Sequence, residues 1–130
     1  MLVTNLRLGA LARLGLDYES LAPQFPRLIY ASISGYGPDG EGGAKAGYDV
    51  GAFWSRSGLA LSLTPEGAEP PVPRPGLGDH PTGLALAAGV CAALVERQRT
   101  GRGQFVSTSL LRTGAYVAGS IWPVARTVDF

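Results

Sequence analysis

The sequence predicts an α/β fold built from short strands and one long buried helix. Three observations lead there. An apolar run over residues 27–34 has strand character, apolar residues recur at helical spacing over 81–99, and shorter strand-like and helix-like pieces alternate around both. At 130 residues the chain fits one domain. It is 45% hydrophobic and 16% charged, apolar enough to bury a core, whereas disorder needs the reverse.

Leu2 and Val3 are apolar and β-leaning, and they run into polar Thr4 and Asn5, as the tail of a strand entering a loop does. Residues 9–14 are helical in character. Asp17 stands as an N-cap for a short helix over 18–22, which Pro23 and Pro26 stop. In 27–34 both alternating sets are mostly apolar, the pattern of a strand covered on both faces. A glycine-rich loop follows over 35–43, and its glycines spell no dinucleotide or P-loop fingerprint.

Residues 48–57 read as helix with Gly58 as the stop, and 59–63 form a short apolar piece. Five prolines between 64 and 75 impose an extended, exposed connection. The long helix then has Leu84, Ala87, Ala88, Cys91, Leu94 and Val95 on its expected apolar face, which makes Cys91 a packing residue. Pro81 suits its first turn, and Arg97, Arg99 and Arg102 crowd its C-terminal end, where positive charge is favoured. Gly83, Ala85 and Gly89 keep its surface small enough for another backbone to approach. Residues 104–107 suit one more strand and 110–121 another helix, stopped by Pro123. Trp54 and Trp122 are expected in a core or an interface. Two or three strands are too few for a complete sheet, so a piece of something larger is expected.

Composition excludes several functions. Eleven Lys+Arg against 10 Asp+Glu give a net charge of +1, so no general nucleic-acid or anionic-membrane surface is expected. A single Cys and a single His leave no disulfide framework and a poor ligand set for zinc, so no metal site is expected. The first residues lack the long apolar core of a signal peptide and carry Arg7 and Arg13. No run reaches the ~18 apolar residues of a membrane span. A cytoplasmic location fits.

Four segments, in order, carry a family resemblance. They are TNLRLG at 4–9 with LGLDYE at 14–19, PRLIYASISGYG at 26–37, GYD at 47–49, and GDHPTG at 78–83 followed by AALVERQRTGRGQ at 92–104. Together they resemble the class III CoA-transferases, of the formyl-CoA transferase and carnitine CoA-transferase type, and the related α-methylacyl-CoA racemases. The resemblance implies a partial Rossmann-like CoA-transferase domain. Family members are longer, with a nucleotide-fold segment before this region and a second domain after it. Residues 1–130 are therefore expected to be the middle of such an enzyme, which in the family forms homodimers.

By the same resemblance Asp79 is the nucleophile that attacks an acyl-CoA thioester and passes through an aspartyl intermediate to an acceptor carboxylate. A carboxylate nucleophile must be ionised, and Asp79 stands where the long helix begins, whose positive end favours that form. The plainer reading is that Asp79 or His80 caps the helix. Asn5, Leu6, Arg7 and Arg13 match positions that bind the CoA nucleotide, and Arg suits phosphate through its planar fork. Arg13 reads equally as a surface residue of a short helix. The family usually has Phe and Pro where Leu6 and Leu8 stand, so Leu6 would cover adenine without aromatic stacking. Ala46, Gly47, Tyr48 and Asp49 match the segment along CoA near its thiol end, and Tyr48 with Asp49 also reads as helix capping with an aromatic in the core. His80 is taken as a neighbour of the site rather than its base.

The implied activity moves CoA between an acyl-CoA and a carboxylic acid, with CoA as substrate and no permanently bound cofactor. Two other readings stay open. One is an α-methylacyl-CoA racemase, although the racemases place His where Tyr48 stands. The other is an inactive truncated fragment that binds CoA weakly.

Overall fold

Three short parallel strands organise the molecule in the order β1-β2-β3. They are β1 (Leu2–Thr4), β2 (Tyr30–Ser34) and β3 (Phe105–Ser109). Leu2 stands opposite Tyr30, and Tyr30 opposite Phe105. The computed structural model describes residues 1–120. The central strand is covered on both faces: Ile29, Tyr30 and Ala31 have no exposed surface. This is the strand whose two alternating sets are both apolar in sequence.

Parallel neighbours cannot be joined by tight hairpins, so each pair needs a crossover. Helices α1 (Leu8–Arg13) and α2 (Tyr18–Leu21) carry the chain from β1 to β2. Asp17 holds the N-cap position of α2 in extended backbone. Its side chain makes no cap hydrogen bond, however, and its Oδ1 is buried with no hydrogen-bond partner among the described residues. The second crossover contains a π-helix (Asp49–Ser55), α3 (Leu59–Ser62) and α4 (Asp79–Thr100). Helix α5 (Leu110–Val117) follows β3 directly, with the Ser109 hydroxyl accepting the Arg112 N–H at 3.1 Å as its cap. A 3-10 turn (Ala118–Ser120) ends the described chain. The expected helix end at Ile121 and Pro123, and Trp122, lie outside the described residues.

The helix expected over 48–57 is shorter and wider than a regular one. The Arg56 N–H bonds the Gly51 carbonyl at 2.9 Å, and the Ser55 hydroxyl bonds the Val50 carbonyl at 2.8 Å, both closures five residues long. Gly58 ends it with φ of 89°, as a glycine stop should. Ala52, Phe53 and Trp54 project from this turn into a core completed by Leu59, Ala60, Leu110 and Ala118. The Trp54 indole N–H donates to the Pro71 carbonyl at 3.0 Å, which ties the proline-rich connection to that core.

Helix α4 corrects two expectations. It is long, but only Thr82, Leu86 and Ala93 are buried along it. The face chosen from spacing points outward instead: Leu84 is 73% exposed, Val95 70%, and Cys91 is exposed rather than packed. Apolar and small residues lie all round this helix, so periodicity does not select the inward stripe. Gly89 marks the side of α4 that packs on the sheet. A Cβ there would lie 2.8 Å from Val106 Cγ1, so the bare glycine lets α4 settle onto β3. Among the described residues no helix is long and apolar enough to cross a membrane.

Candidate active site

Parallel strands leave a crevice beyond their carboxyl ends, where the crossovers part. Here that crevice is a cleft of about 650 Å³. Asn5 borders it just past the end of β1, Ile33, Ser34 and Gly35 at the end of β2, and Leu110 just past β3. The opposite wall is Gly47 to Val50, then Val72, Pro73, Pro75, Gly76 and Asp79.

Asp79 is the first residue of the 22-residue α4 and is exposed to the cleft. No side chain of Asp79 or His80 caps the helix, which corrects the plainer reading of both. The partner at this terminus comes from far away. Asp49 is buried, at 8% exposure, and its Oδ1 accepts the Gly78 N–H at 2.8 Å. Its Oδ2 is buried with no hydrogen-bond partner among the described residues. Two carboxylates therefore stand at one helix N-terminus, where the helix dipole favours negative charge. None of the described residues lining the cleft is Lys or Arg.

Close backbone contact shapes the wall. A Cβ on Gly35 would lie 2.6 Å from the Gly47 Cα, and one on Gly47 would lie 2.8 Å from the Gly35 Cα. Only two glycines allow the strand end and the π-helix entrance to touch there. The Ser34 hydroxyl accepts the Gly37 N–H at 3.0 Å and turns the chain away from the strand.

Of the residues singled out from sequence, the cleft gathers Asn5, Gly47, Tyr48, Asp49 and Asp79. Leu6, Arg7, Arg13 and Ala46 are exposed and are not among its lining residues. Arg7 is the N-cap residue of α1, with its carbonyl accepting the Ala10 and Leu11 N–H groups, and Arg13 lies in the last turn of that helix. His80 also stays out of the lining; its ring lies beside Gly76. Ser34, Gly35 and Gly76 line the cleft without having been anticipated. For Ser34 and Gly35 a signal existed, since they end the clearest strand of the sequence and ligands gather at such ends.

A family model described as CoA-transferase family III matches residues 1–128. The cinnamoyl-CoA:phenyllactate CoA-transferase of Clostridium sporogenes is 41% identical over 129 residues, which are 99% of this chain and 31% of that protein. Human α-methylacyl-CoA racemase is 34% identical over 127 residues, 97% of this chain and 33% of that one. The crystal structure of a CAIB/BAIF family protein from Brucella suis superposes with a TM-score of 0.84 at 34% identity, covering 98% of this chain and 34% of that one. The chain thus spans about a third of the length of the curated relatives it matches.

Proposed function

The chain belongs to CoA-transferase family III, and from that premise we propose that it supplies the nucleophile-bearing part of an enzyme moving CoA between an acyl-CoA and a carboxylic acid. One observation carries the reading. The Asp79 carboxylate opens a long helix and faces the cleft beyond the strand ends.

In the proposed reaction an Asp79 oxygen attacks the thioester carbonyl. The C–S bond breaks, CoA leaves as thiolate, and a mixed acyl–aspartyl anhydride remains. The thiolate then attacks the aspartyl carbonyl, releasing the donor acid as carboxylate and leaving an aspartyl–CoA thioester. An acceptor carboxylate repeats both steps in reverse and leaves as the new acyl-CoA, with Asp79 restored. The positive end of α4 favours the negative charge on the carboxylate each time it is released. Asn5, Gly47 and Tyr48 line the path beside it, while exposed Leu6, Arg7, Arg13 and Ala46 are the candidates for contact with the rest of CoA. CoA is a substrate here, and no resident cofactor is needed.

We further propose a homodimer acting in the cytoplasm. Exposed Leu84 and Val95 on α4 support association, and the exposed thiol of Cys91 suits a reducing compartment.

The test is covalent trapping in the full-length protein, with every segment its gene joins to this chain. Incubation with acyl-CoA followed by hydroxylamine should convert Asp79 to a hydroxamate, located by mass spectrometry. Asp79→Ala should abolish both the mark and the transfer. A mark on another residue, or transfer surviving in Asp79→Ala, removes Asp79 from the role.

A further inference from the structure

The segment before α4 is rich in proline and mostly exposed, and it contributes the Arg74 and Gly76 carbonyls that accept the Leu77 and His80 N–H groups at 3.2 and 3.1 Å. Residue 78 is fixed from outside that segment. The Gly78 N–H is held by the buried Asp49 carboxylate at 2.8 Å. The Gly78 carbonyl accepts the Thr82 N–H at 3.1 Å and the Thr82 hydroxyl at 2.6 Å, and Thr82 has no exposed surface. A side chain at position 78 would overlap the Phe53 ring and the Asp49 carboxylate. Glycine is therefore what allows the carboxylate to reach the amide. Both peptide groups of residue 78 are pinned, and Asp79 is the next residue.

We infer that Asp49 is a positioning residue, which holds the Gly78 peptide so that Asp79 meets the cleft in one fixed orientation, rather than a contact to CoA. The inference rests on the reading of Asp79 as nucleophile. A carboxylate suits this work because it accepts a charge-assisted bond and sits at the positive end of a helix. Its alternative is a CoA contact, for which Oδ2, with no hydrogen-bond partner among the described residues, is the free oxygen. The two roles differ in what truncation does. Loss of a contact shared by ground state and transition state raises KM, whereas loss of orientation lowers the rate at saturation.

The experiment measures labelling of Asp79 by acyl-CoA in the full-length protein, together with amide exchange at Gly78. Asp49→Ala should slow labelling at saturation by about 10–100-fold, the cost of a small misplacement of a reacting group, and leave the half-saturating acyl-CoA concentration unchanged. It should also release the Gly78 amide to exchange. Asp49→Asn keeps an acceptor of the same shape and should retain most of the rate and the amide protection. Gly78→Ala displaces the same contact while leaving Asp49 in place, and should reproduce the slow labelling even if Asp49→Ala fails to fold.

A raised half-saturating concentration with unchanged labelling rate in Asp49→Ala would show a CoA contact and overturn the inference. Asp49→Asn as slow as Asp49→Ala with the Gly78 amide still protected would overturn it too, since charge rather than the held peptide would then matter. Failure of the nucleophile reading looks different: wild-type protein transfers CoA with no mark on Asp79, and both ideas go together.

Discussion

The Asp49 carboxylate and the Gly78 amide meet at 2.8 Å across 29 positions of sequence. This bond joins the π-helix to the start of α4 and closes the wall of the cleft between them. It requires residue 78 to lack a side chain.

Gly78→Ala is accordingly expected to destabilise the protein by about 1–3 kcal/mol, the usual cost of overpacking a tight site. The added methyl group would press on Phe53, a member of the main core, as well as on Asp49. Thermal denaturation compared with Gly83→Ala makes the control, because a Cβ at Gly83 meets nothing within 4 Å. Equal melting temperatures for the two variants would contradict the clash.

Tyr30 gives a prediction on pH. Its ring is buried at the centre of the sheet and its hydroxyl donates to the Leu16 carbonyl at 2.8 Å. Burial first, then the charges of Asp17 and Glu19, raise its pKa above the ordinary tyrosine value. A raised value means that the folded state holds the proton more tightly than the unfolded one. Its stabilising contribution is then complete below the ordinary tyrosine pKa of ~10 and falls as pH rises through the higher folded value. Tyr30→Phe should cost about 1 kcal/mol at neutral pH through the lost hydrogen bond, and should flatten the alkaline loss of stability. Denaturant midpoints followed from pH 7 upward check both; identical alkaline slopes in the two proteins would remove Tyr30 as the cause.

Racemase activity is expected to be absent. Moving a proton on and off the carbon beside a thioester needs an acid and a base able to exchange near neutral pH. Tyrosine ordinarily titrates near ~10 and histidine near ~6.5, and by the family resemblance the racemases would carry histidine where Tyr48 stands. It is 83% exposed on the cleft, with no Lys or Arg among the described lining residues. A 2-methylacyl-CoA held with the full-length protein in heavy water should gain no deuterium at the α-carbon by NMR. Enzyme-dependent exchange lost in Tyr48→Phe would favour the racemase.

Residues 1–130 expressed alone should self-associate or lack fixed packing, because Leu84 and Val95 stand exposed on α4 and the sheet has three strands among the described residues. Sedimentation velocity with near-ultraviolet dichroism reads this out. Replacing both side chains with Glu should reduce association, while surface changes of this kind usually alter monomer stability by less than ~0.5 kcal/mol each. A well-packed monomer would refute the expectation.

Local pattern was enough for the α/β class, the covered strand at β2, the proline-rich connection and the start of a long helix near Asp79. Each depends on neighbours in sequence: alternation within a strand, proline's fixed φ, and the switch from extended to helical spacing. The ordered motifs from TNLRLG to GDHPTG carried the family by the same local means. Tertiary structure alone decided which side of α4 is buried, because Leu84, Leu86, Val90, Ala93 and Val95 are apolar on every side and packing against β2, β3 and α5 chooses among them, with bare Gly89 set against Val106. It also decided what Asp49 does. In sequence Asp49 follows Tyr48 in a motif that resembles a CoA-contacting segment, and nothing near it indicates a partner at Gly78. A hydrogen bond between distant segments has no local signature, since it exists only once the crossover has brought the π-helix against the first turn of α4.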